Sequence, residues 1–154
     1  MPEITVVITT YNLEAYIGAC LEELFSGTYQ DFDVVLVDDC SKDKTVSIIK
    51  AYAEKFPGRI HSAFLQKNLG SPAKTRNWAL DSGFIDGKYV VFLDGDDSLE
   101  PEYLEKLHTL ALQNGADVAV CAYDRVEEGS GRVLCTEMQG FPALMTLPPE
   151  DDTL

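Results

Sequence analysis

Three short apolar runs, each followed at once by polar residues, constrain the fold of this chain more than any other feature: Ile4 to Ile8, Val34 to Val37 and Tyr89 to Leu93. Runs of this length, rich in β-branched residues, have the signature of strands. Between them the period changes. Ile17, Leu21, Leu24 and Phe25 predict a helix stopped by Gly27, and Val46, Ile49, Ala53 and Phe56 give a second helix one apolar face, ended by Pro57-Gly58. Strand, polar loop and helix therefore repeat, which predicts an α/β/α sandwich around a mainly parallel sheet with right-handed crossovers. Tyr89 to Leu93, bounded by Gly87 and Gly95, is also short enough for a helical segment. As a strand it reads as a central one, buried on both faces.

The remaining elements are expected from local signals. A strand is predicted over Ile60 to Leu65, then a turn at Asn68-Leu69-Gly70 and a helix capped by Ser71 with Pro72 in its first turn. Pro101 opens a helix with Leu104, Leu107 and Ala111 on one face, ended by Asn114-Gly115. Asp117 to Tyr123 is expected as a strand that pairs with Arg132 to Met138 across the turn Glu128-Gly129-Ser130-Gly131. With Pro142, Pro148 and Pro149 and an acidic cluster, residues 141–154 read as an irregular tail to a domain over residues 1–140.

Composition narrows the class. The 154 residues, 45% hydrophobic, suffice for one domain with a proper core. Twelve basic against 26 acidic residues give a net charge of −14, which argues against a general nucleic-acid binder. It leaves room for a nucleotide whose phosphates a cation bridges to acidic side chains. Cys20, Cys40, Cys121 and Cys135 form no Cys-X-X-Cys pair and no zinc spacing, and read as reduced thiols of a cytoplasmic protein. No apolar stretch reaches bilayer-spanning length and no secretory signal opens the chain; peripheral attachment at the inner membrane face, or an anchor elsewhere in a longer protein, stays open.

In a parallel sheet the polar exits of the strands share one edge, where ligands of open α/β sheets bind. Thr9 to Asn12, Asp38-Asp39 and Asp94 to Asp97 would meet there. Asp94, Asp96 and Asp97 repel one another, and a hard cation such as Mg²⁺ or Mn²⁺ would reward the crowding, with Asp96 and Asp97 as candidate ligands. Taken alone, an Asp-X-Asp reads better as a solvated acidic turn opening a helix, and the rest of the chain has to change that preference. The other exits favour a nucleoside diphosphate. Tyr11 offers a ring face for a base, Asp39 accepts from a base or ribose donor, and Arg76 is suited to a phosphate. Taken singly, Tyr11 is ordinary packing, Asp39 with Ser41 a turn, and Arg76 a solvated helix residue.

Four motifs in order settle the preference: Val6-Val7-Ile8-Thr9-Thr10-Tyr11-Asn12, Val37-Asp38-Asp39-Cys40-Ser41, Asn68-Leu69-Gly70-Ser71-Pro72-Ala73-Lys74-Thr75-Arg76-Asn77 and Phe92-Leu93-Asp94-Gly95-Asp96-Asp97. Together they resemble the nucleotide-sugar-binding half of the inverting glycosyltransferases of family 2, which have the GT-A fold. The resemblance covers residues 4 to about 105. It implies that Thr9, Tyr11, Asn12, Asp38, Asp39, Arg76, Asp94 and Asp96 form the nucleotide site, with Asp39 reading the base, usually uracil, and the Asp-X-Asp region holding ribose and metal. Two departures stand out: Cys40 where glycine or asparagine is commoner, and a spacing from Asn68 to Arg76 one residue longer than in the commonest form.

The implied reaction is inverting transfer of a sugar from a nucleotide-sugar donor, a UDP-sugar above all, to a hydroxyl of a saccharide or lipid-linked acceptor. It belongs with the making of cell-surface polysaccharides. The family's carboxylate base comes from a downstream acceptor half, and no residue in a matching context stands before Leu154, so the chain reads as a piece of a longer enzyme. Rival readings fit less well. A receiver domain needs a lysine on a late loop, and none follows Lys106. A haloacid-dehalogenase-type phosphatase should begin with its Asp-X-Asp motif, and a dinucleotide-binding module needs Gly-X-Gly-X-X-Gly after the first strand. A non-catalytic nucleotide-binding module remains the plain alternative.

Overall fold

The computed structural model describes residues 1–138 and 144–145. Residues 1–101 form one compact unit and the remainder a second. In the first unit the order is β1 (Ile4–Thr10), α1 (Ile17–Ser26), β2 (Phe32–Asp38), α2 (Thr45–Lys55), β3 (Ile60–Phe64), α3 (Pro72–Asp81) and β4 (Tyr89–Asp94). Every strand pairing is parallel, and the sheet order is β3-β2-β1-β4.

Register fixes which side chains share a face. Val7 pairs with Val35 on one side and Phe92 on the other, and Thr9 with Val37 and Asp94. On that face Ala79 of α3 packs into a core with Val7, Val35 and Val37. The opposite face carries Ile4, Val6, Ile8, Val34 and Leu36, all essentially without solvent contact. There Phe25 of α1 lies 5.3 Å from Phe32 and stacks on Phe56 at 3.9 Å. Both faces of β1 and β2 are thus covered, which is why these strands read as unbroken apolar runs.

The expectation that Tyr89 to Leu93 would be the central strand is corrected. Among the described residues β4 is the edge of the four-stranded sheet, and Val90 and Phe92 remain 37% and 44% exposed. An apolar run reports composition; burial depends on which strands flank it, and β1 and β2 occupy the middle. Ser71 stands at the N-cap of α3 with Pro72 at the first helical position, but its side chain makes no capping bond. The Ser71 carbonyl does the work instead, accepting from the N–H of Lys74 and Thr75.

In the second unit, α4 (Tyr103–Asn114) buries Leu104 and Ala111 and ends at Gly115, whose φ of 57° is the left-handed C-terminal conformation. The predicted pairing of 117–123 with 132–138 is also corrected. The early segment yields only β5 (Val118–Ala119), and the hairpin joins β6 (Tyr123–Val126) to β7 (Val133–Glu137). β5 instead pairs with β8 (Leu144–Met145), a two-residue strand inside the stretch expected to be irregular. The rest of that tail lies outside the described residues.

Candidate functional site

The C-terminal ends of β1, β2 and β4 open onto one hollow of about 440 Å³, lined by Thr9, Thr10, Tyr11, Leu13, Asp39, Asn68, Gly70, Ser71, Pro72, Thr75, Asp94 and Asp96. Five predicted site residues, Thr9, Tyr11, Asp39, Asp94 and Asp96, therefore face a shared space. Tyr11 is half exposed, presenting its ring at the rim, whereas Asp39 is buried. Asp39 is held on three sides. Its N–H donates to the Thr10 carbonyl at 2.8 Å, its Oδ1 accepts from the N–H of Leu69 at 2.8 Å, and its carbonyl accepts from Asn68 Nδ2 at 3.1 Å. Among the described residues no hydrogen bond is made to Oδ2, so one carboxylate oxygen of a fixed side chain remains for a ligand's donor.

Two predicted residues, Asp38 and Asn12, do not line the hollow. Asp38 is buried and accepts from Thr10 Oγ1 at 3.0 Å, Ser41 N–H at 2.9 Å and Ser41 Oγ at 2.5 Å. Asn12 has a left-handed backbone, φ 54°, donates its N–H to Ser41 Oγ at 2.8 Å and accepts through Oδ1 from Lys42 N–H at 2.8 Å. Both tie the loop after β1 to the loop after β2. Cys40, with φ 67°, explains why glycine or asparagine is commoner there: those residues tolerate the left-handed region at least cost.

At the acidic end, Asp94 forms an ion pair with the Arg76 guanidinium, which also lies over the Phe92 ring at 6.0 Å. Arg76, expected to meet a phosphate, is placed beside a carboxylate at the acidic end of the hollow. The turn is closed by the Asp97 N–H donating to the Asp94 carbonyl at 3.0 Å. Loss of hydration, then the charges of Asp94 and Asp96, push the Asp97 carboxyl above the ordinary carboxylate range, and Arg76 opposes this. Beneath the turn, Cys20 donates weakly to the Asp94 carbonyl at 3.8 Å. Burial, followed by the charges of Asp97, Glu23, Asp96 and Asp94, pushes its thiol up to about 12, so it is an inert packing group. A Cβ on Gly95 would lie 3.0 Å from both Leu13 and Thr10, which explains a glycine in the middle of the acidic motif.

Among the described residues no three His, Cys, Asp or Glu side chains converge as a closed metal cage. The donor set nevertheless fits Mg²⁺ or Mn²⁺, which commonly take one or two carboxylates and complete their shell with water and substrate phosphates. Asp96 and Asp97, exposed and crowded by like charge, meet that description.

Leu13 lines the hollow from the loop after β1 and was not singled out from the sequence, whereas Thr10, Thr75 and the turn Asn68 to Pro72, which also line it, lie inside the recognised motifs but carried no individual role. The Arg76–Asp94 pair, 18 residues apart, had no sequence signal.

A parallel α/β sheet with a hydroxyl, aromatic and carboxylate-lined hollow beyond its strand ends defines a nucleotide-binding class of protein. Comparison with known proteins narrows it. Residues 5–138 match the model of Glycosyl transferase family 2, and the chain belongs to that family. It is 34% identical over 129 residues to the glycosyltransferase GlyA of Streptococcus pneumoniae, covering 84% of this chain and 18% of GlyA. Among solved structures it is similar to residues 1–349 of S. aureus TarS in complex with UDP-GlcNAc, with a TM-score of 0.73, 32% identity, and coverage of 84% of this chain and 36% of that one. The mannosyltransferase PcManGT of Pyrobaculum calidifontis, in complex with GDP-Man and Mn²⁺, gives a TM-score of 0.65 at 27% identity, covering 82% of this chain and 36% of that one. The fold is the GT-A fold. The chain spans well under two thirds of the length of these relatives.

Proposed function

We propose that residues 1–140 act as the donor-binding domain of an inverting glycosyltransferase, which transfers a sugar from a UDP-sugar to an acceptor hydroxyl. The observation that carries this reading is the convergence of Tyr11, Asp39, Asp94 and Asp96 on one hollow beyond the strand ends. Tyr11 stacks on the base at the open rim. Asp39, immobilised by Leu69 and Asn68, accepts a base donor through Oδ2. Asp94 and Asp96 face the ribose and pyrophosphate side, and Arg76, already beside Asp94, supplies positive charge there. Asp96 and Asp97 would hold Mg²⁺ or Mn²⁺. Such an ion stabilises the charge that builds on the departing phosphate. The similarity to structures with UDP-GlcNAc and with GDP-Man and Mn²⁺ supports both the donor class and the cation.

The acceptor is read as a saccharide or lipid-linked hydroxyl, and its proton goes to a carboxylate of the acceptor-binding half. Four free thiols support a reducing, cytoplasmic setting, and among the described residues no helix is long and apolar enough to cross a membrane. Calorimetric titration with UDP and Mn²⁺ tests the reading. Binding is expected for the native chain and its loss, by at least about tenfold, for Asp96→Ala. Because Asp96 is exposed, the thermal midpoint should move by no more than about 2 °C. Unchanged affinity in the variant would refute the metal role.

A further inference from the structure

The segment that follows Asp96 and Asp97 is irregular, yet α1 grips it. Glu23 Oε2 accepts from the N–H of Leu99 at 2.8 Å and Oε1 from Ser98 Oγ at 3.3 Å, so both carboxylate oxygens are spent on two consecutive residues. Cys20, one turn earlier, donates to the Asp94 carbonyl, and Thr28, just past the helix, donates its N–H to the Pro101 carbonyl at 2.9 Å. One side of α1 thus fastens the acidic turn at its entry, its exit and beyond. Glu23 is the charged member of this series.

We infer that Glu23 is a positioning residue for the donor's cation: by holding Leu99 and Ser98 it fixes the exit of the acidic turn, so Asp96 and Asp97 are presented in one arrangement. The inference rests on the donor-binding reading above. Groups that orient metal ligands from behind typically alter metal affinity about 10- to 100-fold when removed. The effect should be confined to the phosphate end, because Tyr11 and Asp39 are carried by the loops after β1 and β2, away from α1's contacts with residues 98 and 99.

The test uses the 154-residue chain, UDP with Mn²⁺, and uridine as a ligand without phosphates, followed by calorimetry and by amide chemical shifts. Glu23→Ala should raise the Mn²⁺ concentration for half-maximal UDP binding by about tenfold or more, while uridine affinity stays within about twofold and the Leu99 amide loses its protection from exchange. Glu23→Gln keeps an acceptor for Leu99 and should recover most of the lost affinity. Equal weakening of uridine and of Mn²⁺-dependent UDP binding would overturn the inference by reducing Glu23 to a fold anchor; so would an unchanged Mn²⁺ requirement, or a Gln variant as weak as the Ala variant. A native chain that binds neither ligand would overturn the donor-binding reading itself, before any variant is compared.

Discussion

β1 and β4 are adjacent in one sheet, similar in length and equally apolar in their middles, yet every residue of β1 is buried while β4 alternates between half-buried and exposed positions from Tyr89 to Phe92 and buries only Leu93. β1 has a strand on either side and helices over both faces. β4 has β1 on one side, and α3 covers the sheet above Val7, Val35 and Val37 without closing over Val90 and Phe92. The difference separates the site into two mechanical halves. The exits of β1 and β2 carry Tyr11 and Asp39 on a fully enclosed pair of strands cross-linked by Asp38, Asn12 and Ser41. The exit of β4 carries the carboxylates on a rim strand, kept in place by Arg76 and by α1.

The largest expected effect contrasts the two strands directly. Leu36→Ala, in the enclosed pair, should cost about 3 kcal/mol in chemical denaturation, whereas Phe92→Ala should cost about 1 kcal/mol despite removing more atoms. Equal costs would break the comparison, showing Phe92 to be covered in solution. Next in size, Asp38→Ala should cost about 2 kcal/mol, since Thr10 and Ser41 lose their buried acceptor, and should also weaken uridine binding by loosening both base-side loops. Uridine affinity left unaltered would separate the cross-link from the site.

Asp97 gives a smaller effect with a definite sign. Its carboxyl holds a proton more tightly in the folded chain, so its contribution to stability is fully present at low pH and is lost as pH rises through the raised folded value. Above that range the charged side chain is a mild liability. Asp97→Asn should therefore raise the thermal midpoint at neutral pH by about 1–2 °C, discounted for solvent screening, and reduce the loss of stability from pH 4 to 7. A lower midpoint would show that Asp97 makes a favourable contact instead. Smallest of all, Cys40→Gly should leave stability unchanged or raise it by no more than about 0.3 kcal/mol, because φ 67° suits glycine. A loss beyond 1 kcal/mol would mean that the thiol's contact with Lys42, at 3.1 Å, outweighs the backbone strain.

Much of this was legible from the chain. Local periodicity located β1, α1, β2 and α2 to within a residue or two, and Ser71-Pro72 located the start of α3, because apolar spacing, the breakers Gly27 and Pro57 and the opening Pro72 act within single elements. Parallel topology alone then predicted that the ends of β1, β2 and β4 would meet, and Tyr11, Asp39 and Asp96 do line one hollow. What could not be read was non-local. Strand order depends on pairing across tens of residues, so an apolar run could not say whether β4 was central or peripheral. The hairpin partners of Val133–Glu137 were misplaced because register is set by pairing and turn geometry together. The Arg76–Asp94 pair and the support of Asp38 for Thr10 likewise depend on which side chains the finished sheet brings together.

The rim position of β4 has a practical consequence for the molecule in solution. Among the described residues no strand pairs with its outer margin, and Val90 and Phe92 stand beside it, a surface onto which a strand from another copy can be laid. Opposing this is the net charge of −14, whose mutual repulsion keeps copies apart at low ionic strength. Added salt screens that repulsion and leaves the apolar margin unaffected, so the chain's solubility should fall as ionic strength rises.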